Sequence, residues 1–243
     1  MADPETGSTT QAPAEAPPEV RDRLALVLDA DDLVAATRLA RTLRPWFGVA
    51  KVGLELYSAV GPDAISALKD LGYDVFVDLK LCDIPTTVER AARVLGSLGA
   101  DYTTVHAFGG VTMLRAGVRG FRDGAESAGL PEPAALAVTV LTSDGDAPPH
   151  ILSKRVRVAV EAGAGGIVCA ASDLREARQY GPRLVTVVPG IRPEGTDVDD
   201  QTRSSTPRDA LAAGADLLVI GRAVTRAPDP AAAAAAITAD LLG

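Results

Sequence analysis

Cysteine is scarce in this chain. Cys82 and Cys169 are the only two among 243 residues, and they lie far apart with no metal-ligand spacing. That argues against a disulfide framework and against a thiolate zinc centre. Histidine is as rare, and there is no Ser/His/Asp arrangement, no Gly-x-Gly-x-x-Gly after the first strand and no Walker motif. Positive charge is in deficit: 24 Lys and Arg face 32 Asp and Glu, a net charge of −8. Nucleic acid and an anionic membrane surface are therefore poor partners. A small anionic ligand stays open, because a few local Lys and Arg decide that. No apolar run approaches the length of a membrane span, and the first residues lack the basic start and apolar stretch of a signal peptide. These absences lead to the expectation of a cytoplasmic protein in a reducing compartment.

What is present begins with a tail. Residues 1–20 are rich in Pro, Ala, Thr and Glu, with four acids and no base. Such a composition cannot bury a core and reads as a disordered extension. From Leu24 a rhythm of short apolar strands and helical segments sets in. Strands are expected at 24–28, 48–52, 73–79, 102–106, 135–141, 166–169, 184–188 and 216–220. Helices are expected at 31–43, 58–71, 86–98, 110–128, 150–162, 173–180, 207–213 and 229–242. Gly72, Gly99, Gly163 and Gly214 stand where C-cap glycines end a helix before the next strand. Eight such units in one run predict a single α/β domain over 21–243, a (β/α)8 TIM barrel with a parallel eight-stranded sheet. The 47% of hydrophobic residues suffices for its core.

Charges then fall in telling places. Along Val75–Leu79, Val75, Val77 and Leu79 alternate with Phe76, Asp78 and Lys80, so Asp78 and Lys80 point together away from the helix-facing side. Asp29 ends the first strand, Lys51 the second, and Asp83 opens the turn after the third. Thr86, with Glu89 three residues on, reads as a capping box opening the next helix. A buried ion network sealing the barrel top is the competing explanation. Five charged residues at three successive strand ends make it the poorer one, because such networks are weak stabilisers.

A second cluster, Val187-Val188-Pro189-Gly190-Ile191-Arg192 and Ile220-Gly221-Arg222, follows strands seven and eight, where this fold keeps its phosphate cradle. Glycine lets backbone amides approach an anion, and arginine supplies a forked, permanent charge. Between them, the polar loop 193–206 is too long for a plain connection and reads as a lid from which Gln201 can reach inward. Thr142 and Ser143 add hydroxyls at the same rim. His106 ends strand four and is assigned no catalytic role, and Cys82 is read as inert packing.

These residues resemble the orotidine 5′-phosphate decarboxylases of pyrimidine synthesis, in their bacterial single-domain branch. The similarity runs from Leu24 to about Ile237. It is carried by Leu28-Asp29, Lys51-Val52-Gly53, Asp78-Leu79-Lys80-Leu81-Cys82-Asp83-Ile84-Pro85-Thr86-Thr87, Leu141-Thr142-Ser143, Pro189-Gly190-Ile191-Arg192, Gln201 and Ile220-Gly221-Arg222. Cys82 and Thr86 depart from the family pattern, which often has His and Asn there. The resemblance implies a catalytic set of Lys80, Asp78, Asp83 and Lys51 and a reaction without cofactor or metal. Lys80 would deliver a proton to C6 of the pyrimidine as carbon dioxide leaves, with Asp78 against the substrate carboxylate. Lys51 and Asp29 would hold the ribose hydroxyls, and Thr142 would touch the pyrimidine. Arg192, Gln201, Gly221 and Arg222 would grip the phosphate. Ile84 would also contact substrate, while Asp83 and Thr87 would reach into a neighbouring subunit's site, implying a homodimer with composite sites.

Two rivals are set against this. A magnesium-dependent sugar-phosphate decarboxylase or aldolase of the same superfamily shares the Asp-x-Lys-x-x-Asp pattern, but Lys51 would repel the cation. A non-catalytic nucleotide-binding barrel would be expected to have lost Asp78, Lys80 or Asp83.

Overall fold

The computed structural model of the chain describes residues 15–144, 146–193 and 203–243. Among them the strands are β1 Leu24–Leu28, β2 Val49–Val52, β3 Asp74–Leu81, β4 Tyr102–His106, β5 Ala134–Val138, β6 Gly166–Val168, β7 Val185–Val188 and β8 Leu217–Ile220. They pair in parallel and in chain order, and β8 returns to β1 through Leu24↔Leu218 and Leu26↔Ile220 to close the barrel. The helices are α1 Pro18–Arg21, α2 Leu33–Leu43, α3 Leu54–Val60, α4 Asp63–Asp70, α5 Pro85–Ser97, α6 Gly110–Ser127, α7 His150–Ala162, α8 Leu174–Tyr180, α9 Pro207–Ala212, α10 Arg222–Thr225 and α11 Pro230–Leu242.

Period-two alternation divides the apolar residues into two layers. Leu24, Leu26 and Leu28 with Ala50, Val52, Val75 and Val77 face outward and meet the helices in the main core. Ala25, Val49, Phe76, Leu136, Val187, Leu217 and Val219 fill the barrel interior. These side chains pack against one another, and the polar residues that share the inward register emerge together at the C-terminal end of the strands. The helices are placed by local chemistry. Asp32 Oδ1 accepts from the amides of Val34 at 2.7 Å and Ala35 at 3.1 Å to start α2. Thr206 and Asp229 do the same for α9 and α11, each followed by proline at the first helical position. Gly72, Gly99, Gly163 and Gly214 all adopt positive φ, as expected at these helix ends.

Several expectations are corrected. The helix expected at 58–71 is two helices, because Gly61 takes φ +65° and Pro62 follows, so α3 starts earlier and α4 restarts at Asp63. The Thr86/Glu89 capping box does not form. Pro85 already occupies the first helical position of α5 with Ile84 as its cap, and Glu89 instead pairs with Arg119 of α6. The expected tail lies outside the described residues up to position 14. Within the described part of that stretch, Ala16 is buried, its amide donates to Pro45 O at 2.9 Å, and α1 follows. Cys82 is exposed rather than packed, since β3 ends at Leu81 and leaves it in the turn. No helix among the described residues is long and apolar enough to cross a membrane.

Candidate active site

A cavity of about 310 Å³ opens at the C-terminal ends of the strands. Asp29 from β1, Lys51 from β2, and Asp78 and Lys80 from β3 line one arc of it. Thr142 and Ser143 after β5, Arg192 after β7, and Gly221 and Arg222 after β8 line the rest. Asp83, Ile84 and Thr87 do not line it. All three are exposed on the rim after β3, where Asp83 Oδ1 accepts from the Ile84 amide at 2.6 Å. Gln201 lies outside the described residues.

Asp78 is the hub. Its side chain is 13% exposed and takes the Lys80 ammonium on both oxygens, at 2.9 and 2.8 Å. Lys51 Nζ stands 3.3 Å from Oδ2, and Thr104 Oγ1 donates to Oδ1 at 2.9 Å. Burial would raise the carboxyl. The charges of Lys51 and Lys80, with hydrogen bonds from Lys80 and Thr104, outweigh it and hold Asp78 below its ordinary range. The expected alternation of signs is therefore a physical network. Asp29 approaches it from β1 by way of Gly53, where a Cβ would lie 2.8 Å from Asp29 Oδ1 and 3.2 Å from Lys51 Nζ. A side chain at position 53 would force Asp29 Oδ1 to shift and would press on the Lys51 ammonium.

The strand that carries Asp78 and Lys80 is irregular. Its register with β4 shifts between Val77 and Leu81, and Lys80 has φ +52°, the one non-glycine residue with positive φ among those described. That conformation costs of the order of 1–2 kcal/mol. It is stabilised by Thr104 of β4, whose hydroxyl accepts from the Lys80 amide at 2.8 Å. Sequence reasoning missed Thr104, although it shares the period-two register of Tyr102 and His106 and so faces inward beside β3. His106, half-buried at the same strand end, has its imidazole pKa pushed down by burial and by the cations of Lys80 and Arg155.

Across the barrel, Arg192 is the one charged residue among the buried described residues, and its Nη1 donates to Ile191 O at 2.9 Å. The two ends of the loop expected as a lid are tied together at their base. Arg192 N donates to Ser205 O at 2.9 Å, and Ile191 and Ser205 form an isolated parallel bridge. Arg203, a second residue missed from sequence, forks onto Asp173 at 2.9 Å to each oxygen and donates to Leu141 O at 3.0 Å. It thereby joins the loop base to the residue preceding Thr142. Its signal was faint, one arginine within a polar run. The remaining cysteine, Cys169, is buried and its thiol is pushed up to about 12 by desolvation, which removes it as a nucleophile.

A closed parallel barrel with acids and lysines gathered at its strand ends, facing arginines after the last two strands, defines a (β/α)8-barrel enzyme. The chain belongs to the Orotidine 5'-phosphate decarboxylase / HUMPS family, whose sequence pattern matches residues 22–237. It is 44% identical to the orotidine 5'-phosphate decarboxylase of Moorella thermoacetica, over 91% of this chain and 92% of that one. It is 48% identical to that of Anaeromyxobacter sp. (strain K), over 90% and 98% respectively. Among solved structures, the orotidine 5'-phosphate decarboxylase of Lactobacillus acidophilus superposes with a TM-score of 0.75 at 32% identity, covering 91% of this chain and 100% of that one.

Proposed function

We infer that this site converts orotidine 5′-phosphate to UMP and carbon dioxide, the last step of de novo pyrimidine synthesis, with Lys80 as the proton donor. The observation that carries the reading is one cavity holding the Lys51–Asp78–Lys80 network on one arc and Arg192 and Arg222 on the other. Family membership and relatives named for this activity support it further.

The chemistry follows from the charges. The C6–carboxylate bond breaks with its electron pair left on C6, an sp2 carbon with no neighbouring group to absorb it. The Lys80 ammonium stabilises that developing charge and then gives its proton to C6, so that substrate plus one proton yields UMP and carbon dioxide. Asp78 holds the ammonium in place through both oxygens and sets its own negative charge against the departing carboxylate. Lys51 balances Asp78 and, with Asp29, is positioned for the ribose hydroxyls. Thr142 faces the pyrimidine. Arg192, Gln201, Gly221 and Arg222 take the phosphate, whose distant binding energy serves to close the loop and raise kcat rather than merely to lower KM.

The same reading takes residues 21–243 as one catalytic domain, working in the cytoplasm as a homodimer. Asp83 and Thr87, exposed on the rim and outside their own cavity, complete the partner subunit's site, and Ile84 beside them contacts substrate. The test is to mix EDTA-treated protein with orotidine 5′-phosphate and follow the fall in ultraviolet absorbance. Rapid conversion to UMP without added metal is expected. A folded protein that leaves the absorbance unchanged would overturn the assignment.

A further inference from the structure

Consecutive threonines of β4 each hydrogen-bond a backbone group of β3, one on either side of its register shift. Thr103 Oγ1 donates to Val77 O at 3.1 Å on the near side of the shift, and Thr104 Oγ1 accepts from Lys80 N at 2.8 Å on the far side. Both threonines are fully buried. They differ in what lies beyond them. Thr103 stops at the backbone, whereas Thr104 continues to Asp78 Oδ1 at 2.9 Å.

A hydroxyl has one hydrogen to donate. Because the Lys80 amide approaches the Thr104 oxygen as a donor, that hydrogen is left for Asp78, and the direction of the chain is fixed: Lys80 N–H to Thr104 O, Thr104 O–H to Asp78. One side chain thus grips the backbone of the lysine and the carboxylate of the aspartate at once. The Lys80 ammonium then closes the ring by donating to the same carboxylate at 2.8–2.9 Å. Without the hydroxyl, the Lys80 amide loses its Thr104 acceptor in a left-handed backbone conformation that a lysine does not favour, and Asp78 loses the Thr104 donor.

We propose, resting on the decarboxylation reading above, that Thr104 is a positioning residue for the reaction: its hydroxyl clamps the β3 bulge and thereby fixes the Lys80 ammonium against Asp78. It acts through those two residues and does not line the substrate cavity. A threonine that only filled space between β3 and β4 would be replaced by valine, its isostere, without kinetic consequence.

The test compares Thr104→Val, which keeps the shape and removes the hydroxyl, with Thr104→Ser, which keeps the hydroxyl. Two readings are taken on each: steady-state turnover of orotidine 5′-phosphate, and hydrogen exchange at the Asp78–Leu81 amides without substrate. The valine variant should lose about tenfold to a hundredfold in kcat with KM within about threefold, as expected when a hydrogen bond to a charged group is lost. Its Lys80 amide should exchange faster, and serine should restore both readings. Where the valine variant does not fold, Thr104→Ala provides the same comparison. Wild-type kcat and exchange in the valine variant, or a serine variant as impaired as valine, would overturn the proposal. A wild-type protein inert towards orotidine 5′-phosphate, whose Lys80 exchange still depends on the hydroxyl, would remove the substrate assignment and leave the clamp standing.

Discussion

The two ends of the barrel both hold aspartates paired with cations, and they hold them differently. At the N-terminal end, Asp101 directly precedes β4. It accepts from the Val75 amide of β3 at 2.6 Å and from Lys69 Nζ at 2.8 and 3.0 Å. Asp216 directly precedes β8 and repeats the device, accepting from the Thr186 amide of β7 at 2.7 Å and from Arg178 Nη2 at 2.7 Å. Each joins one strand to the start of the strand before it. At the C-terminal end, the partners of Asp78 among the described residues are side chains: two ammonium groups and one hydroxyl. Asp101 and Asp216 are 30% and 45% exposed, Asp78 only 13%. An acid bonded to backbone builds the barrel. An acid bonded to side chains, and shielded from water, keeps charges that a ligand can rearrange, and the interactions there are stronger for the lower local dielectric.

The sharpest way to break that comparison is to delete one cation from the working end. Lys80→Ala should lower kcat by at least about 10³-fold, the combined scale of a lost proton donor and a lost electrostatic stabiliser. Asp78 keeps Lys51 and Thr104, so the melting temperature should stay within a few degrees, read by circular dichroism. An unfolded variant would mean that Lys80 staples the fold as Lys69 does, and the distinction between the two ends would fail. The converse change is Asp101→Ala. It strips an acceptor from the Val75 amide and should cost about 1–3 kcal/mol of stability in urea titration, with kcat within about twofold. A parallel collapse of kcat would show that the two ends are coupled.

How far each end could be read from the sequence follows from what kind of signal marks it. The strands were legible because a parallel barrel buries both strand faces, leaving unbroken apolar runs such as Leu24–Leu28 and Leu217–Ile220. The charges at their C-terminal ends stood out against those runs. The residues expected at the site, Asp29, Lys51, Asp78, Lys80, Arg192 and Arg222, accordingly fall around one cavity. Thr104 did not stand out, because threonine is an ordinary strand residue and only the bulge in β3 gives its hydroxyl a task. The bulge itself has no sequence mark: a lysine with positive φ is set by tertiary contacts. The N-terminal device left a trace that periodicity does not detect, the repeated Gly-Ala-Asp of Gly99-Ala100-Asp101 and Gly214-Ala215-Asp216. The capping-box expectation failed for a local reason, since Pro85 outcompeted Thr86 for the helix start.

The finest test lies within the N-terminal end, where two acids titrate in opposite directions. Burial would raise Asp216, but the Thr186 hydrogen bonds and Arg178 outweigh it, and its pKa is lowered. Asp74 is raised, by burial first and then by the neighbouring charge of Asp101. A lowered acid binds its proton less well folded than unfolded, so its contribution is present above the ordinary carboxylate pKa and is lost as pH falls through the folded value. A raised acid does the reverse: it weakens the fold at neutral pH and ceases to do so once protonated. Asp216→Asn should therefore melt below the wild type at pH 7 and Asp74→Asn above it. Both differences should shrink as the pH falls through the carboxylate range. Both groups are partly open to solvent, so the shifts should be small and should diminish with added salt. If both variants melted below the wild type at pH 7 by amounts independent of salt, packing rather than charge would govern this end of the barrel, and its contrast with the Asp78 network would widen.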